Sequence, residues 1–183
     1  MSEKYKVIDS TVPTFITITV VDWVDLFVRP IYCNILDESL NYCIKEKGLS
    51  VHAYVYMTSH IHLMVTAFDG ELQSVIRDFK KFTSKKIIAA IKENIQESRK
   101  DWMLAIFKER GTSNSRNTNY QFWRQDNQPK ELYAPEFTVQ KLNYIHNNPV
   151  EAGLVEKPEA YLYSSARNYK YGNSSGLLPV VFL

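Results

Sequence analysis

Two alternating apolar runs on either side of a short turn constrain this chain more than any other feature. LSVHAYVYM (49–57) and HIHLMVTA (60–67) have strand length and flank Thr58-Ser59, so together they predict an antiparallel hairpin. A strand turns successive side chains to opposite faces. In the first run Leu49, Val51, Ala53, Val55 and Met57 share one face, and Ser50, His52, Tyr54 and Tyr56 share the other. In the second run Ile61, Leu63, Val65 and Ala67 point to a core, while His60 and His62 project together from the opposite face. A half-buried strand whose polar face holds histidine fits this pattern. So does the beginning of a metal site, which often starts from two imidazoles on one side.

The remaining segments place that hairpin in a fold. TFITITV (14–20) alternates, is rich in β-branched residues and reads as a strand. Pro30 opens a helical pattern carried by Ile31, Ile35, Leu36, Leu40, Cys43 and Ile44, and Gly48 stands where a helix-terminating glycine belongs. A long helix is predicted over 71–95 and another over 99–110, followed by the polar loop GTSNSRNTN (111–119). YQFWRQ (120–125) reads as a strand, 136–147 as a helix ending at Asn148-Pro149, and 159–169 as a last helix before the apolar tail LLPVVFL. The order strand, helix, strand, strand, helix, strand predicts an α+β fold, a ferredoxin-like βαββαβ antiparallel sheet with helices on one face. The other face is left for a site, and the two imidazoles belong to it. The 183 residues suit a single domain spanning 1–183, with a helical and loop insertion at about 97–119 and a C-terminal extension at about 156–183.

Composition excludes disorder, since 45% of residues are hydrophobic and 23% charged. The net charge of +2 is too small to argue for a nucleic-acid partner, so any basic surface must come from local clustering. Arg77, Lys81 and Lys85 recur at helical spacing with Lys80 and Lys86 alongside, a stripe suited to phosphates, although such a stripe is more often a solvated face. Arg116 in the polar loop, Arg124 beside Trp123, and Lys141 beside Tyr144 are further candidate DNA contacts. Phe122 and Trp123 are candidates for stacking unpaired bases, with at least one of them expected in the core. Cys33 and Cys43 fall in one predicted helix about 15 Å apart along its axis, too far to pair, and read as reduced thiols. The N-terminus shows no apolar signal core and no stretch is long enough to span a membrane, so a cytoplasmic location is expected.

A second constellation lies in KLNYIHNNPVEAGLV (141–155). On a helix Tyr144 and Asn148 share a face, with Phe137 and Lys141 just behind them, whereas Val139, Leu142 and His146 fall on another side. The helix is expected to pack through Val139 and Leu142. Pro149 disfavours helical geometry at Asn148, so that side chain is expected to emerge from a distorted last turn. His146 reads as structural, and His52 as a solvated neighbour of the pair.

SHIHLMV, FWRQ and YIHNNPVEAGLV together resemble the single-tyrosine transposases of the HUH superfamily, in the REP-associated tyrosine transposase branch. The resemblance runs from TFITITV to YLYSSARNY. It implies that His60, His62 and Asn148 hold a divalent metal, Mg2+ or Mn2+, and that Tyr144 is the nucleophile. It also implies single-stranded or hairpin DNA as partner, cleavage near the hairpin through a 5′-phosphotyrosine intermediate, and leaves a homodimer open. Tyr161-Leu162-Tyr163-Ser164-Ser165 departs from the Trp-Pro-Trp-Ser-Ser-like segment common among relatives, which bears on the DNA element more than on the chemistry. The competing reading is a domesticated DNA-hairpin-binding protein without cleavage activity. A histidine-triad hydrolase fits poorly, because Met64 occupies the third alternating position.

Overall fold

Alternating β-branched and helical-period segments resolve into a four-stranded sheet in the computed structural model, which describes residues 7, 9–68, 72–113 and 119–183. The strands are β1 (Thr14–Thr19), β2 (Leu49–Tyr56), β3 (His60–Ala67) and β4 (Lys130–Glu131), in the spatial order β2-β3-β1-β4. Each neighbouring pair is antiparallel. Helix α1 (Pro30–Glu46) carries the chain from β1 to the far edge, the hairpin returns β3 to the centre, and α2 (Leu72–Glu93) begins the crossover towards β4. This is the expected ferredoxin-like split βαββαβ arrangement. Gly48 has a φ of 63°, so the residue between α1 and β2 uses the left-handed geometry that glycine tolerates best.

The two faces of the sheet bury different sets of residues. Ile16, Ile18, Ile61, Leu63 and Val65 pack against Leu36 and Leu40 of α1 and against Ile76, Phe79 and Ile87 of α2. Helix α3 (Lys100–Thr112) adds Met103 and Phe107 to this core. On the other face Phe15, Ala53, Val55, Met57 and Met64 form a smaller cluster closed by Leu132 and by Ile145 of α4 (Pro135–Glu151). The face opposite the crossover helices is therefore partly roofed by the helix that bears Tyr144.

Several local expectations need correction. Simple alternation fails in β2, because the register with β3 shifts between Val51 and Ala53. The bulge moves Tyr54 and Tyr56 into the larger core with Leu49 and Val51, and turns Ala53 and Val55 to the smaller one. His52, at the bulge, is buried instead of solvated: Nδ1 bonds the Val181 carbonyl at 2.9 Å and Nε2 the Thr66 hydroxyl at 3.1 Å. Residues 120–125 are not a strand. Only Trp123 makes an isolated bridge, to Val20 just past the end of β1, and the fourth strand is the two-residue β4 further on. Phe122 and Trp123 are 1% and 5% exposed and Trp123 Nε1 donates to Thr83 Oγ1, so neither ring is available to a base.

Helix α4 runs through Pro149 to Glu151. Proline is tolerated there because the helix is ending: Ala152 N bonds the Asn148 carbonyl and Leu154 N the Pro149 carbonyl, while Gly153 turns out at φ 70°. Its buried residues are Ile145 and Pro149, with Leu142 packed beside them, whereas Val139 is exposed. The C-terminal helix is confined to α5 (Ala166–Tyr171), preceded by a single 3-10 turn at Pro158–Ala160. The chain beyond α4 covers the outer edge of β2, where Tyr56 N and Val181 N bond the carbonyls of Tyr163 and Val51. That cover removes an open strand edge. Among the described residues, no helix is long and apolar enough to cross a membrane.

Candidate active site

Antiparallel register sets out the first half of the site. Thr17 of β1 stands opposite His62 of β3, and Thr19 stands opposite His60. The side chains of such a pair lie on the same face, and Thr17 Oγ1 is 2.9 Å from His62 Nδ1. The His60 and His62 rings meet edge to face with centroids 4.8 Å apart. The strand alternation thus brings the two imidazoles together as expected.

His62 is 4% exposed, and its Nε2 is buried with no hydrogen-bond partner. A buried polar atom left unpaired is costly. Burial, then charge repulsion from the neighbouring His60 ring and the Lys141 ammonium, hold its pKa down at about 3. Burial also lowers that of His60, against a smaller upward pull from Asp25. A neutral ring with Nδ1–H donated to Thr17 leaves the Nε2 lone pair free, which is the state a metal ligand requires. The donor set accordingly fits a divalent cation.

Helix α4 supplies the second half. The Tyr144 ring lies edge-on to His62 at 5.3 Å and to Phe15 at 5.9 Å, while Phe15 stacks on His62 at 5.3 Å. Tyr144 is 40% exposed, so one side of the ring packs and the rest opens to solvent. Lys141, one turn earlier, holds its ammonium 5.0 Å from the Tyr144 ring centre and 4.9 Å from that of Phe15. Burial and Lys130 lower the pKa of this lysine. Asn148 stands one turn beyond Tyr144, half-buried within the helix. His146 faces elsewhere as expected, its Nε2 2.9 Å from Ser165 Oγ and its ring against Tyr169.

The candidate DNA contacts do not form one surface. Arg77, Lys81, Lys85 and Lys86 are exposed on α2, behind the sheet relative to the imidazoles. Arg77 leans on Asp78 at 3.0 Å and Lys86 lies over Phe82. Lys80 does not join them. Its ammonium is spent on the Arg124 carbonyl and the Asn127 side chain, both at 2.6 Å, and burial pulls its pKa to about 8. Arg124 lines a cleft near His60, and Arg116 lies outside the described residues. The sequence reading missed Phe15, Thr17 and Trp23, the last of which sets its ring 5.3 Å from that of His60. Alternation in 14–20 does put Phe15 and Thr17 on one face, but only the register joins that face to His62.

No protein-family model and no curated protein matches the chain. Among solved structures its fold is similar to that of the REP-associated tyrosine transposase bound to a REP hairpin. The two are 16% identical and superpose with a TM-score of 0.67 over 100% of this chain and 92% of that one. The chain thus has the fold of that transposase, as the motifs led one to expect. A candidate transposase from Deinococcus radiodurans R1 is 14% identical over 80% of this chain and 94% of its own, with a TM-score of 0.43, too low to define a shared fold.

Proposed function

We propose that this chain is a metal-dependent single-stranded DNA endonuclease and strand transferase, with Tyr144 as nucleophile and His60, His62 and Asn148 as metal ligands. The observation that carries this reading is the unpaired, buried Nε2 of His62 beside His60, with the Tyr144 ring in contact with the same imidazole. A tyrosine on a solvent-facing helix without that pairing would be a packing residue. The shared fold supports the reading too, because that transposase was solved with a DNA hairpin.

His60, His62 and Asn148 would hold Mg2+ or Mn2+, and such an ion, when bound, would supply Lewis-acid polarisation of the scissile phosphate and offset charge on its oxygens. Thr17 orients His62, and Phe15 holds the rings of His62 and Tyr144 at their edge-on angle. A neutral phenol is a weak nucleophile, so position matters. The Lys141 ammonium beside the ring is placed to favour negative charge on the phenol oxygen or the phosphate. Attack forms a bond from Tyr144 Oη to phosphorus and breaks the bond to the 3′ oxygen. The phenolic proton is lost as the leaving oxygen takes one up. The covalent link keeps the phosphodiester energy, so a second 3′-hydroxyl can reverse the step and join strands without ATP.

Incubation with labelled hairpin DNA bearing a single-stranded flank, with Mn2+, tests the reading. A denaturation-resistant protein–DNA adduct is expected. Tight hairpin binding with no adduct would instead favour the domesticated binding protein.

A further inference from the structure

Beside the imidazole pair lies a cleft of about 310 Å3 lined by Val21, Asp22, Trp23, Arg110 and Arg124. A recess of about 120 Å3 adjoins it, sharing Trp23 and Arg124 and reaching Thr17, whose hydroxyl meets His62. Trp23, whose ring meets His60, and Thr17, whose hydroxyl meets His62, connect this pair of recesses to the imidazoles. Its larger part is at the lower end of small-ligand clefts, roughly 300–1,000 Å3.

Trp23 lines both recesses and is not there for the core. It is 53% exposed, while its ring stands edge-on to His60. Its backbone is left-handed at φ 56°, and so is that of Asp22 at φ 53°. Two consecutive non-glycine residues in this region are unfavourable, and such strain clusters at ligand sites. The Arg110 to Asp22 ion pair at 2.8 Å helps to hold the turn. A strained turn that ends with a large aromatic face towards solvent gains little from burial.

The charges decide what the cleft would take. Arg110 is matched by Asp22, and Arg124 lies 3.8 Å from Asp126. Two guanidiniums offset by two carboxylates make a poor phosphate pocket. They suit a flat, neutral group with both donors and acceptors on its edge, placed over an indole. We infer that Trp23 is the stacking platform for one unpaired nucleobase of a single-stranded DNA flank, next to the phosphate at His60 and His62, and that Arg124 hydrogen-bonds the edge of that base. The inference rests on the function proposed above. It moves the stacking role from Trp123 and Phe122, which are core, to Trp23.

The test uses the full chain and a hairpin oligonucleotide with a single-stranded flank, in which each flank base is removed in turn. At one position, loss of the base should weaken binding by the wild-type protein roughly tenfold, as expected for one base–aromatic stack. Trp23→Ala should weaken binding of the intact oligonucleotide by a similar factor and show no further loss at that position. Trp23→Phe should restore most of the affinity, and Arg124→Ala should reduce the penalty at the same base. Should Trp23→Ala fail to fold, the base-removal series on wild type and on Trp23→Phe still decides. Uniform binding across that series, or an undiminished penalty in Trp23→Ala, would overturn the inference while a Tyr144 adduct leaves the proposed function standing. A wild-type protein that neither binds the oligonucleotide nor forms an adduct overturns both.

Discussion

The Tyr144 ring meets the His62 imidazole at 66°, centroid to centroid 5.3 Å, although the two residues come from elements on opposite sides of the insertion. Phe15 completes the contact by stacking on one ring and edging the other. These contacts use the aromatic ring of Tyr144 and not its hydroxyl. Tyr144→Phe should therefore leave thermal stability and hairpin binding within about twofold of wild type and abolish covalent adducts. An adduct formed by the Phe protein would assign the nucleophile elsewhere.

Metal affinity should depend on Thr17 as well as on the imidazoles. Removing a group that orients a ligating histidine typically lowers metal affinity by roughly 10- to 100-fold. Thr17→Val keeps a β-branched strand residue and deletes the hydroxyl facing His62 Nδ1. Mn2+ titration followed by electron paramagnetic resonance should show weaker binding in Thr17→Val and a larger loss in His60→Ala. His62→Ala should lose affinity and stability together, because its ring is buried against Phe15.

Lys80 and its helix neighbours should behave differently. Lys80→Met leaves the Arg124 carbonyl and Asn127 without their ammonium partner, at a cost of about 1–3 kcal/mol. Arg77→Ala and Lys81→Ala remove exposed charges, so chemical denaturation should barely register them. Weaker hairpin binding in these two, with unchanged stability, would make the α2 stripe a phosphate track.

Stability should fall with acidification through His146. Burial lowers its pKa from the ordinary 6.5 to about 4. Between those values the unfolded chain binds the proton and the folded chain does not, so the stabilisation is complete above about pH 6.5 and is lost as pH drops towards 4. Asp37 acts in the opposite sense, because burial raises its carboxyl to about 6 and favours the folded state at lower pH. The informative comparison is His146→Gln, which can still bond Ser165 but does not titrate. Urea melts at pH 6.5 and pH 4 should show a loss smaller than in wild type by on the order of 2 kcal/mol.

Substrate form should matter more than base composition of the stem. Tyr144 is 40% exposed on a helix that roofs the sheet, and the proposed function calls for a flexible strand there in place of a regular duplex. Hairpin DNA with a single-stranded flank should be cut, and a blunt duplex of the same stem should resist at matched salt. Binding should weaken with salt, each neutralised phosphate adding roughly 0.7 to 0.9 to the log–log slope. Equal cleavage of both substrates would point to a duplex nuclease.

Local periodicity was enough to pair His60 with His62 on one face, to put Tyr144 and Asn148 one helical turn apart, and to order the first three strands and the two helices between and after them. Those are properties of single segments, written in spacings of two and of about four. The roles proposed for them come from the resemblance carried by the YIHNNPVEAGLV string. Tertiary structure alone decided that α4 roofs the histidine face, since that depends on Ile145 finding Phe15, Val55 and Met64 across the sheet. It decided that His52 is buried, because a bulge shifts a register that alternation assumes constant. It also turned Lys80 from a candidate phosphate contact into an internal clamp and put Trp23 instead of Trp123 at the site. In each case the physical reason is the same: a side chain's charge and shape are local, but which partner it meets is set by strand register, bulges and helix packing between segments far apart in the chain.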